Sequence, residues 1–294
     1  MPEILRLAAF TTDPSGGNPA GVVLDAEALD DDAMQRIAAE VDYAETAFVT
    51  ARGADGLTIR YFSPIAEVPF CGHATVATAV ALVEAGIAAP GELTFRTPVG
   101  PVVIRTARGD DGVTASFTSV EPYVEDLPAD VLAELLAELG VRPDDLDPRL
   151  PPALAFAGNR HPVITLADQE LFDSFTFDPA RLRALMDAQD WRGTVTVLHA
   201  PREGVLRELT ARNLFPVGRI TEDPATGSAA ASVGAYLRAL NSALMNWPGV
   251  EPLVTPPASV IIHQGAHVGR PGRLEVEIPV TGGITVTGRA VQIA

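Results

Sequence analysis

One pattern occurs twice along the chain, and it constrains the fold more than any other feature. In the first copy, Asn18-Pro19 precedes an apolar run, a helical stretch and an apolar strand at 45–50. A strand at 57–62 then leads through Phe62-Ser63-Pro64 into Cys71-Gly72-His73-Ala74-Thr75 and an apolar helix. In the second copy, Asn159 and Pro162 precede an apolar run, a helix opening at Asp178-Pro179 and an apolar strand at 194–199. The stretch from Val205 to Pro216 then leads into Asp223-Pro224-Ala225-Thr226-Gly227-Ser228 and a second apolar helix. Two copies of one unit imply two similar domains. The polar tetrads that open the two helices are then expected to point into one cleft.

Short β-like runs dominate, at 3–9, 21–25, 45–50, 57–62, 92–96, 101–106 and 113–118, and again at 259–263, 273–278 and 284–292. Turn-formers such as Pro98-Val99-Gly100 and the Gly109–Gly112 stretch separate them. With few helices between strands, the chain is predicted to be α+β. Each domain would be a curved mixed β-sheet or barrel around a central helix, not a doubly wound parallel sheet. The stretch at 74–85 is apolar nearly all the way round, and 225–240 is rich in Ala, Gly and Ser, so both helices are predicted to be buried. Asp30-Asp31-Asp32 open another helix, with Met34, Ile37, Ala38 and Val41 on one face. A helix at 129–139 ends at Gly140. The domains are set at 1–118 and 119–294, with the final strand 284–294 able to return to the first. Residues 241–258, Pro-rich and without a counterpart in the first copy, read as an inserted loop.

The chain has 294 residues, 47% of them apolar, and a net charge of −17. A phosphate backbone would be repelled, which argues against nucleic-acid binding. All 21 basic residues are arginine, so a Schiff-base or P-loop lysine is excluded. Cys71 is the single cysteine, which rules out internal disulfides and Cys-rich metal sites. The histidines lack metal-like spacing, so neither a metal nor an organic cofactor is expected. No segment reads as a membrane span or export signal, which makes the cytoplasm the default location.

Three residues stand out for chemistry. Glu45 lies at the mouth of an apolar strand, where desolvation would raise its pKa toward that of a general base; it also fits an exposed strand end. His73 opens the first buried helix, where the dipole favours a neutral imidazole, or where it merely caps the helix. Asp223 takes the matching place in the second copy, where a plain N-cap is the commoner role. Ser228, one turn in, offers either a hydroxyl or a small packing surface. Cys71 is a potential thiolate, yet a two-thiol racemase would need a second cysteine, so it reads as a small buried residue lining the site. The orphan N–H groups at the two helix starts favour a small carboxylate as ligand.

These segments resemble the PhzF-like phenazine biosynthesis isomerase family, within the diaminopimelate epimerase-like fold. The resemblance runs from Phe10 and Asn18–Val23 through Glu45–Val49, Phe62-Ser63-Pro64 and Glu67–Thr75. It continues through Glu222–Ala229, Gln264-Gly265 and Gly269-Arg270-Pro271. It implies a cofactor-independent isomerase, a homodimer in most of the family. Glu45 would shuttle a proton on a small cyclic, unsaturated carboxylic acid, with His73 and Asp223 assisting. Gly72, Gly227, Ser228, Asn18 and Cys71 are taken as substrate-binding. Gly272 departs from the family, which often has serine there. The alternatives are a thiol-type amino-acid racemase or epimerase, and a non-catalytic ligand-binding protein on the same fold.

Overall fold

The computed structural model describes residues 2–202, 204–216, 220–244 and 252–293. The chain divides into two compact units. One runs to Thr118 and resumes at Thr287; the other is Ser119–Val286.

The first unit contains β1 (Leu5–Ala9), β2 (Asn18–Val23), α1 (Asp31–Val41), β3 (Glu45–Gly53) and β4 (Gly56–Phe62). It continues with β5 (Glu67–Val68), α2 (Gly72–Glu84), β6 (Gly91–Thr97), β7 (Gly100–Gly109) and β8 (Gly112–Thr118). The second holds β9 (Tyr123–Asp126), α3 (Ala129–Glu138), β10 (Ala153–Phe156), β11 (Arg160–Leu166), α4 (Gln169–Ser174) and α5 (Pro179–Ala188). There follow β12 (Val195–His199), β13 (Glu208–Leu214), β14 (Glu222–Asp223), α6 (Gly227–Leu244), β15 (Ala258–Gln264) and β16 (Gly272–Ile278). The last strand, β17 (Thr285–Gln292), belongs to the first unit from Thr287 onward.

In the first unit β1–β2 is antiparallel, β2–β3 parallel, β3–β4 antiparallel, β4–β6 parallel, and β6–β7 and β7–β8 antiparallel. Strand β17 pairs with both β8 and β1. The eight strands β1, β2, β3, β4, β6, β7, β8 and β17 thus close a mixed barrel, and β5 adds a short pairing to β4. Closure eliminates open edges. Where β1 meets β17, the fully buried Phe10 is held at φ 63° with its N–H on the Arg289 carbonyl, 2.7 Å away. A Cβ on Gly288 would lie 2.2 Å from the Phe10 ring, so only glycine fits beneath it.

Helix α2 packs against β1, β2, β3, β7 and β8, and every residue from His73 to Val83 is buried. Its Ala and Val side chains make that burial favourable, at about 1.5–3 kcal/mol for each fully buried Val or Leu. Its two threonines do not leave orphan hydroxyls: Thr75 and Thr78 donate to the Cys71 and Ala74 carbonyls at 2.8 and 2.7 Å. Helix α1 is capped by Asp30, whose side chain accepts from the Ala33 N–H at 2.8 Å. Its face of Met34, Ile37, Ala38 and Val41 covers Phe48 and Phe62.

In the second unit the pairing senses from β10 to β16, with β14 as a short addition to β13, follow the order seen from β1 to β7. Helix α6 packs against β9, β10, β11 and β16. Helices α3, α4 and α5 supply a separate apolar cluster that includes Leu135, Phe172, Leu182 and Leu185. The chain is a mixed α/β protein: an eight-stranded mixed barrel plus extra strands.

The inserted-loop reading of 241–258 needs correction. Residues 241–244 continue α6, because Ala243 and Leu244 favour helix and no proline falls among these four. Residues 245–251 lie outside the described residues. From Ala258 the segment is already strand. Among the described residues, no helix is long and apolar enough to cross a membrane.

Candidate active site

In the first unit, three expected residues meet. Glu45 opens β3, Cys71 immediately precedes α2 and His73 is its second residue. His73 Nε2 is 3.4 Å from Glu45 Oε2. Cys71 Sγ lies 3.5 Å from that same oxygen and 3.3 and 3.8 Å from the ring nitrogens of His73. The His73 side chain is 8% exposed and that of Glu45 22%, so a shielded imidazole sits beside a carboxylate that solvent still reaches.

The barrel holds this group in place. Asn18, at the start of β2 and 1% exposed, has its carboxamide nitrogen 3.1 Å from His73 Nδ1. With that amide as donor, Nδ1 accepts and the ring proton sits on Nε2, facing Glu45. On the other side, Tyr61 of β4 donates to the Thr75 hydroxyl at 2.6 Å, and Thr75 donates to the Cys71 carbonyl. Burial pushes the Tyr61 phenol up, so it stays a donor. Burial also lowers His73 to about 4, opposed in part by the Pro19 carbonyl on the ring, so the imidazole is neutral near pH 7.

In the second unit, Asp223 sits in β14 and not at the helix cap. The first helical bond of α6 runs from the Ala230 N–H to the Thr226 carbonyl, which makes Thr226 the entry residue. The chain needs three residues to turn from β14 into α6, which displaces Asp223 from the cap. Its Oδ2 accepts from the Thr226 hydroxyl at 2.6 Å. Gln264, 2% exposed, clamps the same turn. Its Oε1 accepts from the Thr226 N–H at 3.1 Å, and its Nε2 donates to the Asp223 carbonyl at 2.6 Å. Gly265 follows at φ 85°, where a Cβ would sit 2.4 Å from the Pro224 carbonyl oxygen. Gly227 and Ser228 are the first two residues of α6, as Gly72 and His73 are of α2.

Ser228 has a partner that the repeat pattern missed. His161 Nε2 lies 3.1 Å from the Ser228 hydroxyl, and its Nδ1 lies 3.0 Å from both the carbonyl and the hydroxyl of Thr194. The Thr194 and Thr196 hydroxyls both donate to Asn213 Oδ1 at 2.7 Å. Full burial lowers His161 to about 4, against the Thr194 carbonyl, so it too is neutral. The sequence signal was the proline: His161-Pro162 answers Asn18-Pro19, with His161 in the place of Asn18.

The donor atoms of Glu45, Cys71 and His73 lie within 4.8 Å of one another, close enough for one cation.

The phenazine biosynthesis-like protein family (PhzC-PhzF) matches residues 7–294. The chain belongs to that family. A protein of Deinococcus radiodurans named an uncharacterized isomerase is 38% identical over 285 residues, covering 96% of this chain and 88% of its own. The crystal structure of a PhzF-family phenazine biosynthesis protein from Bacillus anthracis superposes with a TM-score of 0.81 at 25% identity, covering 99% and 96% of the two chains. A hydroxyproline epimerase from Agrobacterium vitis gives a TM-score of 0.60 at 14% identity, covering 99% and 90%. That likeness places the chain in the diaminopimelate epimerase-like fold. Within the family, isomerase is the name that the relatives carry over nearly the full chain.

Proposed function

We propose that the chain is a cofactor-independent isomerase that moves a proton, and with it a double bond, on a small carboxylic acid. A cyclic, unsaturated acid is the substrate form that the resemblance favours. Glu45 is the general acid and base. The feature that supports this reading is the 3.4 Å approach of His73 Nε2 to Glu45 Oε2. A carboxylate open to solvent can take a carbon-bound proton, while a neutral N–H beside it stabilises the ionised form and any developing negative charge. The first N–H groups of α2, at Gly72 and His73, offer an end suited to a carboxylate. Gly227 and Ser228 begin α6 with the same kind of end, and we assign Asp223 and Ser228 to supporting roles in turnover.

The decisive measurement is deuterium incorporation from heavy water into candidate acids. Wild type should label its substrate, and Glu45→Gln should not. A second reading, a thiol-type racemase, draws support from the 3.5 Å approach of Cys71 Sγ to Glu45. With one cysteine in the chain, it lacks the second thiol of a two-base thiol mechanism. Binding of an acid with no label incorporated by any candidate would favour a non-catalytic ligand-binding protein.

A further inference from the structure

We propose that Cys71 is a positioning residue for Glu45: its thiol donates a hydrogen bond to the carboxylate and holds it, ionised, beside His73. The sulfur lies 3.5 Å from Glu45 Oε2, within reach of an S–H donor. It also lies 3.3 Å from Nδ1 and 3.8 Å from Nε2 of His73. An approach along either in-plane lone pair would leave the other ring nitrogen much farther away. Near-equal distances instead put the sulfur over the face of the ring. The imidazole therefore offers the thiol no lone pair, and the sulfur and a ring nitrogen cannot bond one metal ion together. The Glu45 carboxylate is the acceptor that this geometry gives the S–H.

The start of α2 shows why the thiol is available for this. Cys71 is the N-cap of α2, at φ −143° and ψ 115°, and its side chain makes no cap hydrogen bond. Helices α1, α4 and α5 have aspartate there, and each aspartate accepts from an N–H in the first turn of its helix. A serine or aspartate at position 71 would be drawn to those groups in the same way. A thiol is a weak acceptor, so it is left to point at Glu45. The Cys71 carbonyl accepts from the Thr75 N–H at 3.0 Å and from the Thr75 hydroxyl at 2.8 Å, and Tyr61 holds Thr75 in turn. The backbone beneath the sulfur is thereby fixed. The residue is 7% exposed, so water competes little for the S–H. A helix start favours a thiolate, but a carboxylate 3.5 Å away repels one, and His73 is neutral. The sulfur keeps its proton and the negative charge stays on Glu45, where a general base needs it.

The role in turnover rests on the function proposed above; the hydrogen bond does not. The S–H stretch is the probe, since it falls where other protein groups do not absorb and the chain has one cysteine. Infrared spectra of the purified full chain should show one band, below the frequency of a free thiol. Cys71→Ala should remove it, and Glu45→Gln, whose carbonyl is a weaker acceptor, should move it up. Circular dichroism checks that each variant is folded, and the wild-type band decides by itself should a variant fail to fold. A wild-type band at the free-thiol frequency, or one that Glu45→Gln leaves in place, overturns the hydrogen bond. So does the absence of any band, which would mean a thiolate. With an acid that wild type labels, Cys71→Ala should lower kcat for deuterium exchange about twofold to tenfold, the worth of one hydrogen bond, with KM little changed. An unchanged kcat overturns the positioning role. A loss as deep as that of Glu45→Gln overturns it too, because the thiol would then be a base. If wild type labels no acid, the functional reading fails, and the S–H band still decides the hydrogen bond.

Discussion

The carboxamide nitrogen of Asn18 lies 3.1 Å from Nδ1 of His73. With that amide as donor, the ring proton sits on Nε2, the nitrogen facing Glu45. The second unit repeats the arrangement with other residue types, His161 meeting Ser228 at 3.1 Å. In each unit a residue just before a proline on the second barrel-type strand orients the second residue of the buried helix.

Asn18→Asp should therefore move the ring proton. A carboxylate accepts only, so it draws the proton to Nδ1 and leaves the bare Nε2 facing Glu45. Imidazole nitrogen NMR shifts should report the change of tautomer. Deuterium exchange should fall up to about tenfold, the worth of one hydrogen bond. Unchanged nitrogen shifts would show that Asn18 does not set the tautomer.

Glu45→Gln keeps size and hydrogen bonding but cannot take a proton. Turnover and solvent exchange should fall together by about 10²–10⁴-fold, the usual worth of general base catalysis. Ligand binding and thermal stability should stay near wild type. Cys71→Ser should lose far less exchange than Glu45→Gln. Equal losses in the two variants would revive the thiol reading.

Much of this was legible in the sequence for physical reasons. The all-round apolar pattern of 74–85 can only be satisfied inside a sheet, and α2 is buried accordingly. Met34, Ile37, Ala38 and Val41 sit at helical spacing and form the buried face of α1. The motifs around Glu45 and Cys71-Gly72-His73 lie far apart in sequence and meet at 3.4 Å. What stayed hidden depends on pairing across strands. Strands β5 and β14, at two residues each, are too short for any periodicity. The displacement of Asp223 from the helix cap is set by how β14 pairs with β13. His161 looked like an isolated histidine because its partners, Thr194 and Ser228, lie 33 and 67 residues away.

Arg212 on β13 offers a test of the second unit. Its guanidinium is buried, pairs with Glu222 of β14 and lies 3.8 Å from the Phe175 ring centroid. It also donates to the Phe172 and Phe175 carbonyls at 3.1 and 3.0 Å. Arg212→Leu keeps apolar bulk but leaves the Glu222 carboxylate and two carbonyls without this donor. Breaking a buried pair in this way costs about 3–5 kcal/mol. Urea unfolding should show that loss. A change under about 1 kcal/mol would mean that the pair is solvated.

Acid should destabilise the protein through His161. Burial lowers this ring from its ordinary 6.5 to about 4 in the folded protein. Between about pH 6.5 and about 4, the unfolded chain binds a proton at this position and the folded chain does not. Unfolding free energy therefore rises with pH across that window, and stability is lost as pH falls from about 6.5 toward about 4. Below the folded value both states are protonated and this contribution levels off. A shift of this size corresponds to about 3 kcal/mol, taken as an order of magnitude. Urea unfolding at pH 7 and at pH 4.5 measures it. His161→Gln removes the titrating group, keeps a donor for Ser228, and should flatten the pH dependence by a comparable amount. An equally steep dependence in His161→Gln would assign the acid sensitivity to other groups.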